Sequence, residues 1–456
     1  MAKYFGTDGF RGEAGKTLTS AHAYKIGRFL GWYYSEAGTK KVTVAIGKDT
    51  RLSSYMLEYA LVAGLTTSGA DAYMLHVTTT PSVSYVVHQD SFSCGVMISA
   101  SHNPFYDNGI KLVNAQGEKM DDRTLEKIEL YLDSKLQELG VAGDDLPMAF
   151  GDRIGKVVDY SAGRNRYIGY LISLSAHSFK HLRVGLDCAN GSSWMIAKSV
   201  FDALGATTSV IGAQPNGVNI NEGVGSTHIE HLAKFVKENE LDMGFAFDGD
   251  ADRCIAVDEH GSVINGDHIL YIFGKTMKDE GILTNNTVVT TIMSNMGLYK
   301  ALSEAGIDYA QTTVGDRYVY ENMVSFGNCV GGEQSGHIIL SKYATTGDGI
   351  LTAIKLAEAC LSAKQTLSKL AEPVKMFPQV LKNIRVADKS AVREDAEVQK
   401  AVERISKELD GTGRILLRES GTEPLIRVMA EAESTDICEK YVDEVITLIK
   451  SRGLSL

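Results

Sequence analysis

Three aspartates at alternate positions form the most distinctive local pattern in the chain. The segment FDGDADR, from Phe247 to Arg253, has one apolar run before it and another after it. In an extended loop alternate side chains project the same way, so three carboxylates can converge on one hard cation such as Mg2+. A solvated acidic turn would need only one or two aspartates. The pattern therefore favours a divalent metal site on Asp248, Asp250 and Asp252.

A calcium-binding loop is the alternative interpretation of the same segment. Its support is the DxDxD start and Glu259, which stands where such a loop places its bidentate ligand. However, Arg253 stands where the sharp turn of that loop requires glycine, and the flanking runs MGFAF and CIAVD read as strands rather than helices. We therefore expect the metal site of an enzyme, with a calcium-binding module as a remote alternative.

A serine at a sharp turn is the second candidate for chemistry. The segment ISASHNP, from Ile98 to Pro104, is followed by YDNGIK, so Asn-Pro and Asn-Gly turn signals come directly after an apolar run. Ser101 is thereby predicted to leave a strand at an exposed loop. No Gly-x-Ser-x-Gly elbow surrounds it, which argues against a serine hydrolase. On local sequence alone, a serine that caps a turn is the better interpretation.

Three stretches of the chain share one plan and must position these loops. Each has a β-branched strand, a small polar turn, an amphipathic helix, a glycine and a second strand, and they begin at Val42, Leu182 and Thr287. Alternating strands and helices predict sheets with helices packed on their faces. The sequence therefore predicts an α/β protein with three similar mixed-sheet domains, followed by a smaller C-terminal α+β domain.

Length and turn-rich segments indicate where these domains divide. A single core usually stops growing near roughly 250 to 300 residues, so a chain of 456 residues should contain several domains. The polar stretch from Gly140 to Asp152 reads as a first linker, and Pro373 and Pro378 mark the last boundary. The expected domains are residues 1–150, 151–254, 255–370 and 371–456.

Composition excludes several other classes of protein. The net charge of -11 argues against broad nucleic-acid binding, which relies on Lys and Arg. The six cysteines show neither a CxxC pair nor a Cys/His cluster, which fits a reducing compartment without a zinc site. No apolar run reaches membrane-spanning length, and no signal-peptide pattern is present. We expect a cytoplasmic monomer or homodimer without nucleic-acid or membrane partners.

Four separated motifs extend the pattern beyond the two loops. They are ASHNP around Ser101, DGDADR with the three aspartates, GEQSGH at Gly332 to His337, and RESGTEPLIR at Arg418 to Arg427. In this order they resemble the motifs of the α-D-phosphohexomutase family. KYFGTDGFRG at Lys3 to Gly12 and GKDTRLSS at Gly47 to Ser54 add to the resemblance, which covers essentially the whole chain.

The resemblance implies phosphoryl transfer through a phosphoserine at a central cleft. In the family the serine that matches Ser101 is phosphorylated, and one oxygen of its phosphate would bind Mg2+ together with the three aspartates. A small amount of sugar 1,6-bisphosphate would be needed to prime the serine. Either a histidine or a lysine would accept the proton of the attacking hydroxyl. The residues implied around the reacting phosphate are Arg11, His102, Lys111, Arg253 and His337, with His102 and Lys111 as the candidate proton acceptors.

Two motifs are implied to bind the sugar phosphate. Glu333 and Ser335 match sugar-recognition residues, since a carboxylate can accept hydrogen bonds from two adjacent hydroxyls. The C-terminal motif joins guanidinium groups, hydroxyls and a glycine turn, and is implied to clamp the phosphate that is not reacting. Glu419 lies where many relatives have a basic residue, so it must point away from the phosphate. The implied clamp residues are Arg418, Ser420, Gly421, Thr422 and Arg427.

Three further features narrow the substrate within the family. Gln334, the segment VGDRYV at Val314 to Val319 and the segment PNGVNIN at Pro215 to Asn221 favour the members that act on hexosamine phosphates. The expected reaction interconverts glucosamine 6-phosphate and glucosamine 1-phosphate. Mutases of glucose or mannose phosphate, in the same family, are the alternative.

Overall fold

The computed structural model describes residues 3–36, 41–419 and 425–456. The described residues divide into two units, the first drawn from Met1–Met293 and Ile307–Glu372 and the second from Ser294–Gly306 and Pro373–Leu456. Three mixed sheets lie in the first unit and one smaller antiparallel sheet in the second. This arrangement confirms the predicted α/β fold with a smaller C-terminal α+β part.

The first sheet carries the Ser101 loop. Its strands are β1 (Phe5–Gly6), β2 (Gly9–Glu13), β3 (Thr43–Lys48), β4 (Asp71–Val77), β5 (Cys94–Ile98), β6 (Asp107–Val113) and β7 (Val157–Asp159), in the order β1-β2-β6-β5-β3-β4-β7. The strands β5, β3, β4 and β7 run parallel, whereas β6 is antiparallel to β5. The strand β5 is buried along its whole length, as expected for a parallel strand covered on both faces. The associated helices are α1 (Ser20–Glu36), α2 (Leu52–Thr67), α3 (Thr80–Gln89), α4 (Asp122–Leu132) and α5 (Ser161–Ser173).

The second sheet carries the aspartate loop. Its strands are β8 (Arg183–Asp187), β9 (Thr207–Ile211), β10 (Met243–Phe247), β11 (Cys254–Asp258) and β12 (Val263–Ile264), in the order β12-β11-β10-β8-β9. The strand β8 is parallel to β9 and β10, and β11 is antiparallel to β10. Its helices are α6 (Ala197–Ala203) and α7 (Ile229–Glu238).

The third sheet carries the GEQSGH loop. Its strands are β13 (Thr287–Thr291), β14 (Asp308–Thr312), β15 (Val330–Gly332) and β16 (Ile338–Leu340), in the order β14-β13-β15-β16. The strand β13 is parallel to β14 and β15, and β16 is antiparallel to β15. The helices of this part of the chain are α8 (Gly266–Asp279), α9 (Met296–Glu304), α10 (Asp316–Phe326), α11 (Gly349–Ala363) and α12 (Leu367–Ala371), of which α9 belongs to the second unit.

The three sheets repeat one topology, as the sequence repeat predicts. In each, a run of neighbouring parallel strands, four in the first sheet and three in the other two, is followed by one antiparallel strand, namely β6, β11 or β16. The hairpin loop that leads into this antiparallel strand carries Ser101 in the first sheet, the aspartates in the second and Glu333 in the third. The repeat therefore places one candidate functional loop at the same position of each sheet.

The second unit is built on an antiparallel sheet of three strands. These are β17 (Gln379–Arg385), β18 (Gly413–Glu419) and β19 (Leu425–Ala432), in the order β17-β19-β18. Residues of β19 such as Val428 and Ala430 share a core with Val442 and Val445. The helices are α13 (Lys389–Glu394), α14 (Ala396–Glu408) and α15 (Thr435–Ser451).

Edge strands extend the first two sheets beyond the expected domain boundaries. The strand β7 pairs with β4 although it lies past residue 150, and β11 and β12 complete the second sheet although they begin at Cys254. A boundary at residue 254 would cut the hairpin that holds the aspartate loop.

Among the described residues, no helix is both long and apolar enough to cross a membrane. Short 3-10 helices lie at Leu136–Leu139, Gly151–Arg153, Ser192–Met195 and Thr284–Asn286.

Candidate active site

Ser101 lies in the hairpin between β5 and β6, but its side chain is buried rather than exposed. Its hydroxyl donates a hydrogen bond to Asp248 Oδ2 and lies 3.3 Å from His102 Nδ1. The prediction of an exposed serine is wrong because the aspartate loop of the neighbouring sheet covers it. The backbone of Ser101 is left-handed, with φ of 53°. Such a conformation costs a residue with a Cβ roughly 1 to 2 kcal/mol, so its surroundings must hold it in place.

The three aspartates meet as the sequence predicts. Their ligand oxygens all lie within 4.8 Å of one another, and all three residues are buried. Burial and the charges of Asp252 and Asp250 raise the pKa of Asp248 well above its ordinary value. Among the described residues, Asp250 Oδ1 has no hydrogen-bond partner. Like charges and an unpaired oxygen at such close range fit a hard divalent cation, which takes oxygen ligands and neutralises the carboxylates.

A glycine allows the aspartate loop to lie directly against the Ser101 loop. A Cβ on Gly249 would stand 2.5 Å from the carbonyl oxygen of Ser101 and 2.8 Å from Ile220 Cδ1. The carbonyl of Gly249 accepts a hydrogen bond of 2.8 Å from the backbone N–H of Ser192. Only a residue without a side chain fits this contact, which sets Ser101 and Asp248 at hydrogen-bond distance.

Thr80, the first residue of α3, holds the middle aspartate. Its backbone N–H donates to the carbonyl of Asp250 at 3.0 Å, and its hydroxyl donates to Asp250 Oδ2. Thr80 therefore fixes both the backbone and the side chain of a predicted metal ligand. No role could be predicted for Thr80 from its local sequence, since Thr-Pro indicates only the start of a helix.

Lys111 of β6 is the cation nearest the aspartates. Its Nζ lies 2.7 Å from Asp250 Oδ2 and 3.1 Å from Asp252 Oδ2. Burial alone would lower the pKa of Lys111, but Asp250, Asp252 and Asp8 raise it well above its ordinary value. Lys111 is therefore an ammonium ion beside the aspartate loop.

His337 closes the opposite side of the aspartate loop. Its Nδ1 lies 3.7 Å from Asp252 Oδ1, and its Nε2 lies 3.3 Å from Asp316 Oδ2. Burial lowers the pKa of His337, but the two carboxylates outweigh burial and raise it. The carboxylates of Asp316 and Asp252 thus favour the protonated form of His337, whose Nε2 also lies 3.0 Å from the backbone N–H of Gly347.

Arg11, Arg253 and His102 are the remaining residues that were predicted around the reacting phosphate. Arg11 is paired with Asp8 and lies 3.5 Å from Asn103 Oδ1. The backbone N–H of Arg253 donates to Asp248 Oδ1 at 3.1 Å. The Nε atoms of both arginines lack a hydrogen-bond partner among the described residues. Burial, Arg253 and Arg11 lower the pKa of His102 to about 4, so its imidazole is neutral near pH 7.

Sequence reasoning missed three charged residues that join this group. Lys119 Nζ lies 2.7 Å from Asp316 and 3.4 Å from Asp8 Oδ1, while Lys111 also lies 3.4 Å from Asp8 Oδ1. Burial raises the pKa of Asp8, but Lys111, Lys119 and Arg11 lower it far more. Asp8 lies inside KYFGTDGFRG and Asp316 inside VGDRYV. An acidic residue without an assigned role in a motif that matches the family could therefore have indicated both of them.

The GEQSGH loop is anchored to its surroundings at several points. Glu333 Oε1 accepts a hydrogen bond of 2.9 Å from the backbone N–H of Gly315, and the carbonyl of Gln334 accepts one of 3.0 Å from Gly266. Ser335 is exposed at the tip of the loop. A half-buried carboxylate beside an exposed hydroxyl leaves acceptor and donor groups available to a polar ligand.

The predicted clamp lies in the second unit. Arg418 of β18 and Arg427 of β19 are directly opposite each other in the sheet, and the Nε of each lacks a hydrogen-bond partner within the described part of the chain. Burial and the charge of Arg427 lower the pKa of Arg418. The carboxylate of Glu419 pairs with Arg393 Nη1 at 3.1 Å. The other predicted clamp residues, Ser420, Gly421 and Thr422, lie outside the described residues.

The calcium-loop interpretation has no support at its last ligand. Glu259 accepts hydrogen bonds from the backbone and the hydroxyl of Ser368, at 3.3 and 2.5 Å. The aspartate loop also joins two strands, β10 and β11, where a calcium loop would join two helices.

Family models match almost the whole chain. Those described as phosphoglucomutase/phosphomannomutase alpha/beta/alpha domains I, II and III match residues 2–138, 165–261 and 265–377, and the C-terminal domain model matches residues 381–448.

Known proteins resemble the chain over its full length. A phosphoglucosamine mutase of Lachnospira eligens is 63% identical and covers 100% of both chains, and one of Bacillus subtilis is 48% identical and covers 99% of both. A phosphoglucomutase/phosphomannomutase family protein from Burkholderia thailandensis has the same fold, with a TM-score of 0.79, 22% identity and coverage of 99% of this chain and 98% of that one. The chain therefore belongs to the phosphoglucomutase/phosphomannomutase family of α-D-phosphohexomutases, and within it to the phosphoglucosamine mutases.

Proposed function

We propose that this chain interconverts glucosamine 6-phosphate and glucosamine 1-phosphate by phosphoryl transfer through Ser101. The observation that carries the proposal is the hydrogen bond from the Ser101 hydroxyl to Asp248, inside a buried group of three aspartates ringed by cations. The full-length relatives named phosphoglucosamine mutase support the choice of sugar. The six free cysteines agree with a cytoplasmic enzyme, which would act as a monomer or homodimer.

The proposed reaction has two transfers that balance each other. In the first, the bond between phosphorus and Ser101 Oγ breaks as a bond forms to the free hydroxyl of the sugar monophosphate. That hydroxyl gives its proton to the neutral imidazole of His102, since Lys111 is already an ammonium ion. The released Ser101 Oγ, 3.3 Å from His102 Nδ1, takes the proton up in turn. The sugar 1,6-bisphosphate then presents its other phosphate. In the second transfer the bond from phosphorus to the oxygen of that other phosphate ester breaks and the bond to Ser101 Oγ forms again. The Ser101 hydroxyl gives its proton to His102, and the released sugar oxygen takes it up as a hydroxyl.

Positive charge on this chain's own residues supports both transfers. Lys111, Arg253 and His337 lie beside the aspartates, and Arg11 lies beside Asn103 of the Ser101 loop. Phosphoryl transfers depend mainly on such positioning and charge stabilisation. Asp248, Asp250, Asp252 and a phosphate oxygen on Ser101 would hold Mg2+. The bound cation would withdraw electron density from phosphorus during transfer.

Substrate recognition is proposed for two loops. Glu333 and Ser335 would bind sugar hydroxyls. The paired guanidinium groups of Arg418 and Arg427, with Ser420, Gly421 and Thr422, would bind the phosphate that is not reacting, since their Nε donors are unpaired in the described part of the chain. Because the clamp treats both phosphates alike, the bisphosphate could bind in either orientation.

Mass spectrometry of the Ser101 peptide, combined with turnover of Ser101→Ala, tests the mechanism. We expect phosphate on Ser101 in active enzyme and a loss of at least about 1,000-fold in kcat for the variant, because the phosphate carrier is removed. Ser173→Ala, at an exposed position of α5, is the matched control and should keep full activity. An unphosphorylated Ser101 in fully active enzyme would contradict the proposal.

Comparison of three substrates tests the sugar. Glucosamine 6-phosphate should give a higher kcat/KM than glucose 6-phosphate or mannose 6-phosphate, with each assay primed by the matching 1,6-bisphosphate. A preference for glucose or mannose phosphate would keep the mechanism but replace the amino sugar as the natural substrate.

A further inference from the structure

The motif GKDTRLSS has no part in the chemistry described so far, yet it contains a group of buried polar side chains. It joins β3 to α2, and Asp49, Arg51 and Ser54 within it are fully buried. Burying a guanidinium is strongly unfavourable unless it is paired and hydrogen-bonded. The contacts that Arg51 makes should therefore explain why the motif carries it.

The guanidinium group of Arg51 binds one carboxylate, that of Asp49, and the backbone of one loop, that of Ser101. Its Nε donates to Asp49 Oδ2 at 2.7 Å. Its Nη2 donates to the carbonyls of Ser101 and Asn103 at 2.9 and 2.8 Å. Because a guanidinium has five N–H donors, five acceptors satisfy it completely. The backbone carbonyls bound by the two terminal nitrogens are those of Ser101, Asn103, Pro104 and Asp107.

Two further contacts hold the same turn. Asn221 Nδ2 donates to the carbonyls of Ser101 and Asn103 at 2.9 and 3.1 Å, from the second sheet's side of the site. The Ser99 hydroxyl donates to Asp49 Oδ2 at 2.7 Å and accepts from the backbone N–H of Ser101 at 3.0 Å. The backbone N–H and the carbonyl of Ser101 are thus both connected by hydrogen bonds to the ion pair of Asp49 and Arg51, the N–H through the Ser99 hydroxyl and the carbonyl directly.

We infer that Arg51, Asp49 and Asn221 are positioning residues for phosphoryl transfer, which hold Ser101 in the left-handed conformation that faces Asp248. This inference rests on the proposed function. In this conformation the Ser101 carbonyl turns toward Arg51 and Asn221 while the hydroxyl turns toward the aspartates. Loss of the carbonyl contacts would let the turn relax. A displacement of about 1 Å at a reacting atom can reduce the rate by about 100-fold.

A purely structural role for a buried arginine is the competing explanation, and the chain contains a matched control for it. Arg28 is also fully buried and also donates to backbone carbonyls, those of Leu146 and Pro147, and to Asp145. None of these groups belongs to the Ser101 loop. The same substitution at Arg28 and Arg51 therefore separates loss of folding stability from loss of Ser101 positioning.

The test compares Arg51→Lys, Arg28→Lys and Asn221→Ala in the full-length enzyme. Lysine keeps the charge but cannot bind four carbonyls in a planar fork. We expect kcat to fall by about 30-fold or more in Arg51→Lys and by about 10-fold in Asn221→Ala, while KM for the sugar phosphate changes by less than about 3-fold. Arg28→Lys should lose thermal stability but keep kcat within about 3-fold of wild type. The 31P resonance of phosphorylated Ser101 should shift in Arg51→Lys and Asn221→Ala only.

Each other outcome has a definite meaning. If Arg51→Lys keeps kcat and the 31P resonance while its melting temperature falls like that of Arg28→Lys, Arg51 is structural and the inference is wrong. If Arg51→Lys does not fold, Asn221→Ala decides by the same two measurements. If wild type phosphorylates Ser101 but turns over none of the three hexose phosphates, the proposed function fails while the 31P comparison still tests positioning. If Ser101 never carries phosphate, both fail.

Discussion

The Ser101 loop and the aspartate loop occupy the same position in two sheets of the repeat, yet the protein holds them in different ways. The carbonyl groups of the Ser101 loop are bound by Arg51 and Asn221. The carbonyl groups of the aspartate loop accept from backbone N–H groups instead: Gly249 from Ser192, Asp250 from Thr80 and Ala251 from Gly349. The carbonyl groups of one loop are therefore bound by side chains, and those of the other by backbone N–H groups at the start of neighbouring helices.

The difference follows from the charge that each loop carries. Thr80 and Gly349 begin α3 and α11, and the partial positive charge at a helix N-terminus favours a loop with three carboxylates. The Ser101 turn instead presents carbonyl oxygens, which a guanidinium can bind as a group. Topology fixes where a hairpin loop lies, whereas the surrounding donors decide what chemistry it can perform.

The close contact between the loops gives the largest expected effect. Gly249→Ala would place a Cβ 2.5 Å from the Ser101 carbonyl oxygen, so both loops must move apart. We expect kcat to fall by about 100-fold, because Ser101 and the aspartates lose their alignment. Turnover at saturating Mg2+ and substrate measures this effect.

Gly169→Ala is the control for that substitution. Gly169 lies in α5, and an added Cβ there meets no atom within 4 Å. It should keep full activity and gain slightly in melting temperature, since alanine favours a helix by about 1 kcal/mol over glycine. Full activity of Gly249→Ala would show that the two loops need not touch.

A smaller effect is expected from a substitution that alters only the aspartate loop. Thr80→Val removes the hydroxyl that donates to Asp250 Oδ2 but keeps the backbone N–H bond to the same residue. Groups that orient a metal ligand typically contribute about 10-fold or more to metal affinity. The half-saturating Mg2+ concentration should therefore rise by about 10-fold, with kcat largely restored at high Mg2+.

Thr78→Val provides the matched control for the metal titration. Thr78 is also buried, and its hydroxyl donates to Ser82 Oγ rather than to an aspartate. Its Mg2+ titration should coincide with that of wild type. An unchanged titration for Thr80→Val as well would mean that Asp250 is oriented without the Thr80 hydroxyl.

The same contrast explains what the sequence could predict. Ser101 and the three aspartates are close together in short motifs, and each residue type indicates its own chemistry. Arg51 lies 50 residues from the Ser101 carbonyl it binds, and Asn221 lies 120 residues from it. A side chain that binds the backbone of a distant turn leaves no local pattern. The burial of Ser101 was missed for the same reason, since it depends on a loop from another sheet.

The smallest expected effect concerns the helix that supports the aspartate loop, and it depends on pH. Asp348 caps α11 by accepting from the Leu351 N–H at 3.0 Å, and it accepts from the Tyr167 hydroxyl at 2.7 Å. Burial raises the pKa of Asp348 from 3.8 to about 6. A raised pKa means that the folded protein binds the Asp348 proton more tightly than the unfolded chain does. Protonated Asp348 therefore adds to the free energy of unfolding below about pH 4, and this contribution is lost as pH rises through about 6.

The thermal stability of Asp348→Asn relative to wild type should therefore increase as pH rises. Asparagine keeps an oxygen for the cap but carries no charge to bury. A shift of about 2 pKa units corresponds to about 3 kcal/mol at most, or a few degrees in melting temperature. The difference in melting temperature between variant and wild type should move in the variant's favour between pH 5 and 7. Asp121→Asn, at the exposed cap of α4, should show no such trend. A flat difference for Asp348→Asn would mean that the Asp348 carboxylate is solvated or paired well enough to ionise without cost to the fold.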